Sequence, residues 1–188
     1  YDKNSVEDSS FYKGEPIWVT AEKQGIKTAS FFWVGSEAPI KGLHPSIFKK
    51  YDGTVPFTAR IDSVISWLTL PNDKKPKLIM LYFHEPDKSG HIYGPNSVET
   101  INAIKESDQI LGNLINKLKK HSINANIIVL SDHGMREIDP EKVIIVNEFI
   151  ENHDSLKFYG NGPLMQIDIE YKSKSNRKRL LSALNTMP

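Results

Sequence analysis

The run Leu78-Ile79-Met80-Leu81-Tyr82-Phe83, followed at once by His84-Glu85-Pro86-Asp87-Lys88-Ser89-Gly90-His91, decides the fold class. Its apolar residues do not alternate with polar ones, and Pro76 and Pro86 bound it. That pattern suits a strand buried on both faces, as in parallel sheets covered by helices. Downstream, Asn96 with Glu99 three positions on resembles a capping box, and Ile101, Ile104, Leu111, Ile115 and Leu118 form the stripe of a long amphipathic helix. Asp108 interrupts the stripe and reads as a helix-edge carboxylate met by a neighbouring donor. Asn126 to Leu130 then reads as a second buried strand, ending in Ser131-Asp132-His133-Gly134. A right-handed crossover places these strands parallel, with both carboxyl ends on the edge where open α/β sheets bind ligands.

Upstream, Ile17-Trp18-Val19 reads as a short strand, with Thr20 capping a helical turn that Gly25 closes. Thr28 to Trp33 reads as the next strand. After Pro56, apolar Phe57, Ile61, Val64, Ile65 and Leu68 recur at helical spacing until Pro71, and Trp67 reads as core. Near the end, Lys172, Lys174, Arg177, Lys178 and Arg179 beside Leu180, Leu181 and Leu184 read as the solvated face of an amphipathic helix. Gly160-Asn161-Gly162 reads as a turn, lacking the glycine spacing of a phosphate cradle. Together these imply an α/β fold, a mostly parallel sheet with helices on both faces.

In 188 residues, 24 Lys and Arg against 23 Asp and Glu leave a formal charge of +1, which excludes charge-driven disorder and a nucleic-acid-coating surface. A chain of this size can bury roughly 70% of its unfolded surface, so one domain with its own core is expected. The absence of cysteine excludes a disulfide framework and thiolate metal sites. The longest wholly aliphatic run, Ile127 to Leu130, is far short of the ~20 residues of a membrane helix. The start, Tyr1-Asp2-Lys3-Asn4, is neither an initiator methionine nor a signal peptide, and points to a fragment or a processed chain.

Each expected strand end carries an Asp and a His. Asp87 and His91 share a face if their segment is a helical turn, and Pro86 and Gly90 would equally allow a tight loop. Asp132 and His133 converge only if the strand has broken into a turn, which Gly134 permits. Carboxylate oxygen with imidazole nitrogen, and no thiolate, suits catalytic Zn²⁺. A pair at each end points to paired metals about 3.5–4 Å apart, the arrangement that clamps the attacking and leaving oxygens in phosphoryl displacement. Taken singly, such residues are more often turn formers or caps. Each pair also falls short of the roughly three ligands of a catalytic zinc, and the spare histidines His44, His84, His121 and His153 have no compelling position.

A set of motifs carries a resemblance over nearly the whole chain: Gly14-Glu15-Pro16-Ile17-Trp18, Thr20 to Gly25, Phe31-Phe32-Trp33, Gly35-Ser36, Val55-Pro56-Phe57, Glu85-Pro86-Asp87 with Ser89-Gly90-His91, Gly94-Pro95, and Ser131-Asp132-His133-Gly134-Met135. In these the chain resembles the middle of the catalytic domain of the nucleotide pyrophosphatase/phosphodiesterase family, in the alkaline phosphatase superfamily. The resemblance implies that Asp87 and His91 bind one Zn²⁺ and that Asp132 and His133 bind the other. It also implies that Trp33, Tyr51 and Tyr82 surround the nucleotide, with Tyr51 stacking on the base; by area alone these aromatics read as core. Glu37 stands where nucleotide-cleaving members often have Asp.

The family's Thr nucleophile and a further Asp ligand precede the stretch matched here, and its last His ligand follows it. Thr20, Thr28 and Thr54 do not match the nucleophile motif, so no residue of this chain is assigned as nucleophile. The expectation is a part, residues 1–188, of one catalytic domain that is incomplete at both ends and inactive alone. The parent would be an extracellular or membrane-anchored zinc hydrolase of a small phosphodiester or pyrophosphate, a nucleotide above all. The alternatives are a lipid or choline phosphodiesterase on the same metal site, and a non-catalytic fragment or pseudoenzyme serving as an interaction surface.

Overall fold

Thr28 to Phe31 are buried throughout and form β1, the centre of a three-stranded parallel sheet. β2 (Ile47–Lys49) and β3 (Leu78–Leu81) flank it, in the order β2-β1-β3. The computed structural model describes residues 3–148, 150, 156–160, 165–169 and 174–186. It contains two compact units, 1–137 and 138–188.

Register explains how the first unit buries its core. Ala29 lies beside Ile79 and Phe31 beside Leu81. Because side chains alternate across a strand, all four face one side. There they pack with Val64 and Trp67 of α2 (Phe57–Leu68). Met80 faces the other side and packs with Trp18 and Val19 of α1 (Ile17–Lys23). The sheet is thus covered on both faces, as the unbroken apolar run of β3 implies. The long helix α4 (Val98–Lys120) lies behind α2, with Leu118 against Ile61 and Ile65. The expected helix after Pro56, and Trp67 as core, are both observed.

Several elements differ from the sequence reading. Ile17-Trp18-Val19 starts helix α1 and is not a strand; three residues are too few to separate the two periods, and buried Trp18 and Val19 beside exposed Ile17 are one helix face. Thr20 is therefore inside the helix, where its hydroxyl donates to Glu15 Oε1 (2.9 Å). Gly25, at φ +76°, closes it as expected. β1 stops at Phe31 because Phe32 turns to φ +66°. β3 stops at Leu81, although the Tyr82 N–H still donates to the Phe31 carbonyl (3.0 Å).

The cap of α4 is Ser97, whose hydroxyl accepts from the Thr100 N–H (3.1 Å), one residue later than the capping box at Asn96. Its first buried positions are accordingly Thr100 and Ala103, while Ile101 and Ile104 are exposed, as is Asp108. The largest difference is Asn126 to Leu130. It forms no strand, and Ile128 is 82% exposed. A parallel strand needs a neighbouring ladder and cover on both faces, and the described residues supply this run with neither. The expected β-α-β crossover is therefore left open after α4.

In the second unit β4 (Leu156–Tyr159) pairs antiparallel with β5 (Gln166–Ile169), and α5 (Lys174–Leu184) follows. Leu180 is buried while Arg177, Lys178 and Arg179 are exposed, so this part of the basic stripe is the polar face of a helix. Lys172 and the side chain of Lys174 lie outside the described residues. Gly160 has φ +94°, which fits a turn; Asn161 and Gly162 lie outside the described residues. Among the described residues no helix is long and apolar enough to cross a membrane.

Candidate active site

The chain leaving β3 turns at Pro86 into α3 (Asp87–Tyr93), so the segment is a helical turn, with Asp87 opening it and His91 one turn on. Asp87 Oδ1 and His91 Nε2 lie 3.3 Å apart. The Ser89 N–H donates to Glu85 Oε2 (3.0 Å), tying the helix to the loop before it. Gly90 is buried, and a Cβ there would clash with Met135 Sδ. Without a side chain at Gly90, α3 can approach the Ser131–Met135 loop this closely.

That approach brings the two Asp/His pairs together. His133 Nε2 lies 3.7 Å from Asp87 Oδ1 and 3.7 Å from Asp132 Oδ2. His133 Nδ1 donates to the Gly134 carbonyl (2.9 Å), which fixes the ring and turns Nε2 toward the carboxylates. The Gly134 carbonyl, with Asp132 and Asp87 adding, raises the His133 pKa above its ordinary value. Asp87 Oδ1 is shielded from solvent and has no hydrogen-bond partner, although its side chain as a whole is partly exposed.

An unsatisfied carboxylate oxygen between two ring nitrogens fits a cation. Donors about 2.0–2.1 Å from a tetrahedral ion lie about 3.3–3.4 Å from one another, close to the Asp87–His91 separation. Among the described residues no group of three or more His, Cys, Asp or Glu is arranged to hold one ion. The residues present therefore fit a metal as pairs and not as closed sites.

Beside this cluster lies a group of aromatic rings. Tyr51 is half-exposed, 6.4 Å ring to ring from Tyr82 and edge-on to Phe32 at 5.2 Å. The Tyr51 N–H donates to Glu37 Oε1 (3.0 Å), so Glu37 anchors the loop that carries the ring. Burial raises the Tyr82 phenol pKa, with smaller contributions from Tyr51, Asp87 and Asp132; Tyr82 thus feels both the neighbouring ring and the carboxylates. Trp33 is placed differently, against the cluster of Trp18, Val19, Ala38, Ile40 and Met80.

The other histidines have local roles. His44 stacks on Phe48 and His121 caps α4, while His153 lies outside the described residues. His84 faces Arg60, a residue to which the sequence reading gave no role. Arg60 is fully buried, and the signal was its place on the apolar face of α2, three residues after Phe57 and four before Val64.

The sequence matches the model of "Type I phosphodiesterase / nucleotide pyrophosphatase" over residues 1–187. The chain belongs to this family. Its relatives include human ectonucleotide pyrophosphatase/phosphodiesterase family member 1, 46% identical over 80% of this chain and 16% of the human protein. Another is venom phosphodiesterase CdcPDE of Crotalus durissus collilineatus, 41% identical over 85% of this chain and 20% of the venom protein. The chain thus spans a fifth or less of these relatives. Among solved structures, murine ectonucleotide pyrophosphatase/phosphodiesterase 5 superposes with a TM-score of 0.85 at 29% identity, covering 95% of this chain and 47% of the murine one. An inactive variant of that murine protein, in complex with AMP, superposes with a TM-score of 0.84. The α/β fold expected from the sequence is the fold of these neighbours.

Proposed function

We propose that this chain is part of one catalytic domain that hydrolyses phosphodiester or pyrophosphate bonds in nucleotides, outside the cell. The observation that carries this reading is that His91 and His133 flank the unsatisfied Asp87 Oδ1 and His133 also reaches Asp132, beside the rings of Tyr51 and Tyr82. Asp87 with His91 would hold one Zn²⁺, and Asp132 with His133 the other. Bound there, Zn²⁺ polarises a phosphoryl oxygen and stabilises charge on the attacking and leaving oxygens.

The chain's own residues supply the rest of the binding. Tyr51 offers a face for the base, and stacking tolerates any base because each has a π-face. Trp33, on its separate cluster, would border the pocket. The attacking hydroxyl is a Thr outside the residues matched here. Thr20, Thr28 and Thr54 are instead bonded to Glu15, Glu22 and Asp52. The names of the venom and ectonucleotidase relatives support the extracellular placement.

The test is metal analysis with nucleotide-ester hydrolysis, on the longest gene product that carries this sequence. Asp132→Ala/His133→Ala should lose one Zn²⁺ per chain and slow hydrolysis by about 100-fold or more. An unchanged zinc content in a folded variant would falsify the ligand assignment.

A further inference from the structure

Arg60 is fully buried, yet among the described residues no carboxylate lies within ion-pair distance of it, and Asp52 acts on it only from farther away. A buried cation without a close ion pair is costly, so its hydrogen-bond and ring partners must be fixed and numerous. Its Nε donates to the Val55 carbonyl (3.2 Å), Nη1 to the Tyr82 carbonyl (2.8 Å), and Nη2 lies 3.4 Å from His84 Nδ1. The guanidinium also stacks between two rings, 4.9 Å from the centroid of Phe32 and 4.8 Å from that of Phe57. Burial, and then the Arg60 charge, lower the His84 pKa, which keeps its ring neutral and able to accept.

Phe32 is the unusual partner. It holds φ +66°, a left-handed conformation that is strained for a bulky residue and persists only where its surroundings over-determine it. Its ring is held by Phe31 edge-on at 4.6 Å, by Arg60 over one face, and by Tyr51 at 5.2 Å. The side chain that holds Phe32 thus stands behind Tyr51 and also grips the Tyr82 carbonyl.

We propose that Arg60 is a positioning residue for the aromatic group, holding Phe32 and the Tyr82 carbonyl so that Tyr51 and Tyr82 present a preformed base-stacking face. The proposal deepens the nucleotide reading and rests on it for the ligand. Lysine is not equivalent, since its ammonium is a compact point charge without the guanidinium's fixed fork and broad planar face.

The experiment titrates AMP and methyl phosphate against the longest gene product that carries this sequence, by calorimetry. The proteins compared are wild type, Arg60→Lys, Tyr51→Ala and the double variant. Arg60→Lys should cut the preference for AMP over methyl phosphate by about five-fold or more, leaving methyl phosphate within about two-fold, and should do nothing further once Tyr51 is Ala. Equal losses on both ligands, or an undiminished effect without Tyr51, would overturn it. If Arg60→Lys does not fold, Phe57→Leu keeps the cation, removes one ring, and should shift the preference in the same direction by less; no shift would overturn it. If wild type itself shows no preference for AMP, the nucleotide reading fails, and the positioning claim is judged without ligand. The ¹⁹F resonance of fluorotyrosine at Tyr51 must then move or broaden in Arg60→Lys, and an unchanged line would sink it.

Discussion

Two stretches of this chain carry the same plan: an apolar run, then a turn with Asp and His. Leu78–Leu81 pairs with β1, and its side chains are covered by α1 on one face and α2 on the other. The turn that follows is held by α3, by Gly90 against Met135, and by Arg60 on the Tyr82 carbonyl. Ile127–Leu130 is likewise wholly apolar but lies open to solvent. Its turn is held by short local bonds, Ser131 Oγ to the His133 carbonyl and the His133 N–H to Asp132 Oδ1. An apolar run therefore specifies a tendency to be buried, while the elements that flank it in space decide whether a strand forms.

The largest expected effect on stability lies in the covered stretch. Met80 is 5% exposed between α1 and the sheet. Met80→Ala should destabilise the chain by roughly 2–5 kcal/mol, seen as a lower denaturant midpoint at constant slope. A loss under about 1 kcal/mol would mean that β3 is no better covered than Ile127–Leu130.

The same contrast explains what was legible in the sequence. α2, α4 and β3 carry long periodic or unbroken patterns and sit where expected, to within a few residues at their ends. Ile17–Val19 was too short to show a period. Asn126–Leu130 was read correctly as apolar, but a strand depends on partners elsewhere in space, which no local pattern reports. In the site, the i,i+4 spacing of Asp87 and His91 allows one helical turn or a tight loop, and the structure has the helix; their approach to His133 depends on Gly90 and Met135. Arg60 was missed because it lies among apolar neighbours, and its partners are mostly carbonyls and rings brought by Val55, Tyr82 and Phe32.

A smaller, pH-dependent effect should mark the covered region. Glu22 accepts from the Thr28 N–H and hydroxyl (both 2.7 Å) and from Ser46 N–H and Oγ (both 2.9 Å), tying α1 to β1 and to the approach of β2. Burial raises its pKa, but the hydrogen bonds from Thr28 and Ser46 outweigh that and leave it below the ordinary 4.5. A carboxyl lowered in the folded state adds stability above its unfolded pKa, and loses it as pH falls through the folded one. Glu22→Gln should therefore cost about 1 kcal/mol at pH 7, discounted because the group is part-exposed, and progressively less below about pH 4.5. A difference from wild type that stays flat from pH 7 to pH 3 would show that the charge of Glu22 does not matter.

The smallest effect is expected at Ile128. At 82% exposure its side chain gives up little contact with water on folding, so replacing it should remove almost no buried area. Ile128→Asp should then shift the stability of this chain by no more than about 0.5 kcal/mol, the usual range for surface substitutions. A covered Ile128 would behave otherwise, because an unpaired carboxylate in an apolar setting costs several kcal/mol or forces its own protonation. Urea unfolding of Ile128→Asp beside Met80→Ala separates the cases. Near-wild-type stability with a large loss at Met80 keeps the two regions distinct. Comparable losses at both would mean that Ile127–Leu130 is buried in solution, and that the two apolar runs differ less than their exposures indicate.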